Sequence, residues 1–557
     1  MKLTWIVAAR LLAVLTILLA VVAASVGPNP ITTSATPHQA MERTIPFTDV
    51  NPLGANFFLD REVETWKKEI TLKMAKDAGI GWVKQMFAWE EIEPSKDRFW
   101  DERYRKSTWD KFDEAVSLSE KYGLRIIARL DRPPAWARAD NSESTSPPKD
   151  FNDYGNFVYN IVNRYKGRIQ YYQIWNEPNL GSEWGKNTPS ASQYVELLKI
   201  AYKRAKEADP NVVILAAPLA ATLEEGPANI SDLTFLGAMY KAGARDYFDI
   251  MSANVYGFDK PPSDPPNPKV LNFSRVTLLR NVMVENGDSD KAVWFNEFGW
   301  NASPEDFPKQ RLFWGRVSEQ QQADYTFEAI NLARTWEWAG VINIWYFRQV
   351  GDISPVDHSE YYFRVVDINF TPRPVYHVLQ NISIGLKIAP PGTHQESSPA
   401  AELSGRWKIV QDPRLAGKAA ITAESPGNSI AFTFFGTEVA LLAKTDRFSG
   451  KLYVEVDGAP SPSLSWDERN KTTVSMNTPD DHWQVKVPLV KGLPPAKHTL
   501  VLTLTEPGGT TSQGQGVTID GFIVDAEPYN YWNFYAKIAL ALMGLAGFFA
   551  TFQMRRR

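Results

Sequence analysis

Between residues 45 and 388 short apolar runs alternate with stretches of helical spacing, and the alternation repeats eight times. Consecutive parallel strands need a crossover, so a strand–helix repeat builds a parallel sheet. Eight such units can close that sheet into a (β/α)8 barrel. The apolar runs cover residues 53–58, 81–87, 124–130, 171–175, 212–216, 248–255, 292–296 and 341–346. Residues 64–78 and 109–122 read as helices ending at Gly79 and Gly123, which suit the left-handed position after a helix. Tyr154, Phe157, Val158, Ile161, Val162 and Tyr165 keep helical spacing, and Ser190 suits the cap of the next helix.

Barrels carry their chemistry at the C-terminal ends of the strands. Two runs end alike: Tyr171-Tyr172-Gln173-Ile174-Trp175-Asn176-Glu177-Pro178-Asn179, and Val293-Trp294-Phe295-Asn296-Glu297-Phe298-Gly299-Trp300. Pro178 cannot join a ladder, so the first strand stops before it, leaving Asn176 and Glu177 at its end. One such glutamate alone reads as a solvated rim residue. Two, delivered by two strand ends among tryptophans, are the pair of carboxyl groups that glycoside hydrolysis requires. Trp175 and Trp294 read as packing. Trp89, Trp136 and Trp300 follow strand ends and read equally as sugar-subsite walls or as loop anchors. Asp131 and Arg348 are weaker cleft candidates, with ion pairing as the plainer explanation.

The net charge of −4 offers no basic face for nucleic acid, and the 19 Trp and 21 Tyr give ample surface for sugar rings. No cysteine is present, so disulfides and thiolate metal sites are excluded; the six histidines show no ligand spacing, and no metal or cofactor is expected.

The flanks divide the rest. Residues 1–26 combine Lys2 and Arg10 with an apolar run and small residues, as in a signal peptide or N-terminal anchor. Residues 27–44 and 389–402, rich in Pro and Ser, read as linkers. Residues 403–527 alternate with period two between Gly, Pro and Asp-Gly turns, as in a β-sandwich. Residues 528–557 hold an aromatic belt, an apolar stretch and Arg555-Arg556-Arg557, read as a C-terminal transmembrane helix with its basic end inside. That places the barrel outside the cell membrane. Because both glutamates and all eight strands fall in residues 45–388, that span is expected to act alone.

With these phrases in place, the chain resembles the retaining glycoside hydrolases of clan A, above all family 39 and related hydrolases of bacterial exopolysaccharides. The likeness rests on Asn163-Arg164-Tyr165-Lys166-Gly167-Arg168 running into Ile174-Trp175-Asn176-Glu177-Pro178-Asn179, and on Asn296-Glu297-Phe298-Gly299. It implies double-displacement cleavage of an oligo- or polysaccharide, with Glu177 as acid/base and Glu297 as nucleophile. It also implies that Asn176 binds the sugar 2-hydroxyl, Tyr256 orients the nucleophile and Trp345 floors the reacting sugar. Where the family often carries His before the strand-six tyrosine, this chain has Asn254; Lys84 stands nearest to the family's strand-two arginine. The sandwich is loosely similar to galactose-binding jelly rolls, through residues 451–458 and Ile519-Asp520-Gly521. The competing reading is a silent or transglycosylating polysaccharide-binding protein on the same scaffold.

Overall fold

The structure is a computed structural model that describes residues 44–351, 357–505 and 516–525. The expected signal or anchor and the expected C-terminal helix lie outside the described residues. Among the described residues no helix is long and apolar enough to cross a membrane.

Eight parallel strands form one sheet: β1 (Leu53–Phe57), β2 (Trp82–Ala88), β3 (Arg125–Asp131), β4 (Tyr171–Ile174), β5 (Val213–Ala216), β6 (Met251–Tyr256), β7 (Val293–Gly299) and β8 (Ala339–Ile344). Their spatial order runs β5-β4-β3-β2-β1-β8-β7-β6. Two isolated parallel bridges, Leu215–Ile250 and Leu219–Ala253, bring its ends together into a barrel. Helices expected from the sequence appear at Thr65–Asp77, Asp110–Lys121, Phe151–Arg164 and Ala191–Ala208. Ser190 caps the last of these by accepting from the backbone N–H of Gln193.

Alternation along the strands sorts the barrel interior into tiers. On β2 the inward series runs Trp82, Lys84, Met86, Ala88, and the last three line the upper cavity. The lowest tier is aromatic: the rings of Trp82, Tyr171 and Trp294 lie 4.9–5.2 Å apart, centroid to centroid. Above it sits a buried amide tier. Asn296 donates to Gln173 Oε1 (2.7 Å), and Asn56 donates to the carbonyls of Asn296 and Ile344.

Two antiparallel sheets follow. One is ordered Lys408–Gln411, Ala419–Ala423, Val517–Asp525, Glu438–Thr445 and His482–Val490; the other Ala401–Ser404, Ser429–Gly436, Ala496–Leu504, Lys451–Val456 and Ala459–Pro460. Phe432 of one stacks on Phe522 of the other at 4.1 Å, so the sheets share a core as a sandwich. Residues 389–402, expected as a linker, are not free chain: Gly392–Gln395 pairs with residues 521–524 as a further strand. Pro390 and Pro391 before it and Gly392 at its start gave the stretch a linker's composition, but residues 392–395 are held in register against residues 521–524.

The sandwich core is continuous with the barrel floor. The segment before β1 is the joint. Phe47 packs edge-on to Tyr171 and its carbonyl accepts from Trp294 Nε1 (2.9 Å). Asp49 accepts from the backbone N–H of Gln395 (2.9 Å), and the Asp49 carbonyl accepts from Ser397 (2.9 Å). The sandwich therefore seals the N-terminal end of the barrel, opposite the end where β-strand C-termini converge.

Candidate active site

β4 stops at Ile174, earlier than Pro178 alone would require. Trp175 takes a left-handed φ of 71° and Glu177 one of 41°. Non-glycine residues reach that region only at a cost on the order of 1–3 kcal/mol, and such residues cluster at functional sites. The turn is held by the Glu177 N–H donating to the Pro218 carbonyl (3.0 Å) and by Trp175 Nε1 donating to the Glu183 carbonyl (3.0 Å).

β7, by contrast, runs past the Asn296 end expected for it, through Glu297 to Gly299. Ala253 of β6 pairs with Phe295, yet Asn254 pairs with Glu297, so β7 carries one extra residue there. The bulge absorbs the break in alternation and lets Asn296 and Glu297 both serve the barrel interior.

Both glutamates line one cavity of about 670 Å3 at the strand C-termini, together with Asn176, Lys84, Arg129 and Trp345. Glu297 is buried and doubly held: Lys84 Nζ lies 3.3 Å from Oε1, and the Tyr256 hydroxyl donates to Oε2 at 2.9 Å. Glu177 accepts from Asn254 Nδ2 (2.6 Å). Burial, reinforced by the charges of Glu297 and Glu183, pushes the Glu177 carboxyl up to about 8. Burial likewise pulls the Lys84 ammonium down to about 8 against the opposing pull of Glu297. Burial raises the Tyr256 hydroxyl well above its usual value, as do Glu297 and Glu177, so it stays a donor. Asn176 is buried beside Glu177, and its side-chain oxygen has no partner among the described residues.

The cavity wall on the β8 side is aromatic. Trp345 lines the cavity and meets Phe58 at 6.0 Å and Tyr346 at 5.7 Å with their ring planes nearly perpendicular to its own. The opposite wall is ionic. Arg129 binds Asp131 (2.6 Å) and lies 3.8 Å from Glu183. Burial alone would lower the Arg129 pKa, but Asp131, Glu183 and Glu297 outweigh it and hold the guanidinium charged.

Three tryptophans fall elsewhere. Trp89 is fully buried, stacked on Phe157 at 5.3 Å with its Nε1 on Glu93 (2.7 Å). Trp300 is also fully buried, packs on Gly257 so closely that a Cβ there would clash, and donates to the Lys260 carbonyl. Trp136 meets Trp89 edge-on and donates to the Glu93 carbonyl (2.9 Å), outside the cavity lining. All three anchor loops, because their ring edges find backbone or core partners before they can face the cleft. Arg348 is buried against Glu62 (2.7 Å), away from the cavity, and Asp131 serves Arg129. Arg129, Glu183 and Asn56 were not singled out from sequence. A signal existed for Arg129: like Lys84, it is a charge inside an otherwise apolar strand. Among the described residues no group of acidic or histidine side chains is arranged to hold a metal.

No protein-family model matches the sequence, and no curated protein matches it. Solved structures are similar to this chain. A family 39 glycoside hydrolase from Bacteroides cellulosilyticus WH2 aligns over 83% of this chain and 82% of its own, at 19% identity and a TM-score of 0.46. A monomeric beta-xylosidase from Caulobacter crescentus CB15 aligns over 84% of this chain and 98% of its own, at 14% identity and 0.44. The GH39 enzyme from Xanthomonas axonopodis pv. citri aligns over 83% and 96%, at 13% identity and 0.45. Among the solved structures that this chain resembles are glycoside hydrolases of family 39.

Proposed function

We propose that this protein is a retaining glycoside hydrolase that cleaves O-glycosidic bonds of an oligo- or polysaccharide, with Glu177 as acid/base and Glu297 as nucleophile. The observation that carries the reading is the division of labour between two carboxyl groups in one cavity. Glu177 is pushed up to about 8 and holds a proton at neutral pH. Glu297 sits against a lysine and a phenol that both donate to its anion. A carboxyl that burial keeps protonated, facing a second one held by two donors, suits an acid and its nucleophilic partner.

In the first step Glu177 gives its proton to the leaving glycosidic oxygen while Glu297 attacks the anomeric carbon, forming a glycosyl ester. That ester removes the Glu297 charge, which was raising the Glu177 pKa. Glu177, now ionised, takes a proton from water as the water attacks the ester, and both carboxyls return to their starting states. Asn176 supplies a buried side-chain oxygen with no partner among the described residues, Trp345 offers its ring, and Asn254 aims Glu177.

Chemical rescue tests this. Glu177→Ala should retain glycosylation by activated aryl glycosides but stall afterwards, and azide should restore turnover with a glycosyl azide of retained configuration. Glu297→Ala with azide and an activated donor should give the inverted product. Inversion at the anomeric carbon by the wild-type enzyme overturns the mechanism.

The expected membrane attachment belongs with this reading. We infer an enzyme held at the cell membrane with its barrel outside, on the strength of the terminal apolar segments and the basic residues flanking them.

A further inference from the structure

The catalytic cavity does not end at its own rim. Glu90 and Glu91 line it, and they equally line a second cavity of about 560 Å3. The far wall of that second cavity is a two-stranded hairpin, Trp100–Asp101 paired with Lys106–Ser107. It is inserted between the short helix Trp89–Ile92, which continues β2 at the barrel mouth, and the helix Asp110–Lys121.

The hairpin is braced. Thr108 donates to the Ile92 carbonyl (2.6 Å), Lys111 pairs with Glu91 (2.7 Å), and Asp101 caps the turn by accepting from the N–H groups of Arg103 and Tyr104. On this braced support two large rings point away from the core: Trp100 is 43% exposed and Tyr104 62%. The Trp100 indole has no ring, cation or hydrogen-bonding partner among the described residues. Holding an indole rigidly in water forgoes the burial that normally stabilises it. Four acidic and four basic side chains share this cavity, so it has no net charge to offer a polyanion. Balanced polar groups around exposed rings suit a chain of neutral sugars, whose C–H faces stack and whose hydroxyls accept and donate.

We propose that one continuous cleft runs from the catalytic cavity across Glu90 and Glu91 onto the hairpin, where Trp100 and Tyr104 stack on sugar units distant from the scissile bond, so that cleavage falls within an uncharged polysaccharide chain. This rests on the hydrolase reading above. It adds the substrate's length and charge, and an internal rather than terminal point of cleavage.

The test uses the full chain in native gels containing mixed-linkage β-glucan, arabinoxylan, galactomannan or polygalacturonate. The Glu297→Gln enzyme should be retarded by at least one of the three neutral polymers. Adding Trp100→Ala should weaken that retardation about tenfold, and Tyr104→Ala should weaken it further. Trp466→Ala, which removes another exposed ring on the sandwich, should leave it unchanged. With Glu297 restored, Trp100→Ala should lower kcat/KM on the retarding polymer by about tenfold and leave 4-nitrophenyl glycosides untouched. First products should be several sugars long. Retardation by polygalacturonate alone, by none of the neutral polymers, or equally with and without Trp100 overturns the proposal, as does release of single sugars from chain ends. If Trp100→Ala abolishes retardation while Glu177→Ala and Glu297→Gln leave turnover unchanged, the groove stands and the catalytic assignment falls.

Discussion

Lys84 Nζ lies 3.3 Å from Glu297 Oε1, with both side chains almost fully buried inside the barrel. Removing one member of a buried ion pair leaves the other without a counter-charge, typically at about 3–5 kcal/mol. Lys84→Met should therefore lower kcat on an activated aryl glycoside by on the order of 10²-fold or more, with reduced thermal stability. Lys84→Arg, which keeps the charge, should stay within about tenfold of wild type. Unchanged turnover by the methionine variant would separate this lysine from the chemistry.

The pH profile should fall on its basic side near 8. Glu177, raised by burial, by Glu297 and by Glu183, must be protonated to act as the acid, so activity persists below about 8 and is lost as pH rises through it. Lys84, lowered to about 8, loses its charge over the same range. The two are separable. In Lys84→Arg the basic limb should stay where it is, because the arginine does not titrate there. A limb that moves up by about one unit or more in that variant assigns it to the lysine instead.

A chain ending at residue 388 keeps both glutamates and all eight strands, yet it loses Gln395, Ser397 and the sandwich core that cover the Trp82, Tyr171 and Trp294 floor. Despite the self-sufficiency that the sequence suggests for residues 45–388, this fragment should bind a hydrophobic dye and melt well below the full ectodomain, or fail to stay soluble. A soluble fragment with an unchanged Tm would show the seal to be dispensable.

Asp520 is buried in the sandwich, with Oδ2 accepting from the Ala416 N–H (3.0 Å) and Oδ1 unpartnered among the described residues. Burial raises its pKa from 3.8 to about 7. Its folded pKa lies above its unfolded one, so its favourable contribution is complete below about 4 and is lost as pH rises to about 7. Asp520→Asn keeps the accepting oxygen without the charge. It should raise stability at pH 8 by on the order of 1–2 kcal/mol while changing little at pH 4. Equal melting shifts at both values would show that the carboxyl does not titrate in this range.

The strands and helices of the barrel were legible because burial imposes period on the sequence, and Gly79, Gly123 and Ser190 mark where that period stops. The placing of the two glutamates followed from the same strand ends. Ring direction did not follow: Trp89, Trp300 and Trp345 all stand just beyond strands, and only Trp345 lines the cavity. A residue's place along the chain says how high in the barrel it sits, not which way its χ angles turn it. Lys84 and Arg129 were readable in principle as charges within apolar runs. Glu183 sits in a short 3-10 turn whose return to the site depends on the left-handed backbone at Trp175, and local pattern does not encode that. The strand at residues 392–395 was hidden because three of the four residues before His394 and Thr393 are Pro or Gly, a linker's signature.

The bond between Asp49 and the N–H of Gln395 spans 346 residues, and this has a consequence for the order in which the protein can form. While the chain is being made, the barrel's aromatic floor emerges by Trp294, yet its cover emerges only after about another hundred residues have been added. Until then Trp82, Tyr171 and Trp294 present a sticky, half-finished surface. Contacts this distant along the chain also close slowly. The nascent protein thus passes through a long interval in which it is open to chaperones or export factors, and it becomes fully closed only once its last domain has arrived.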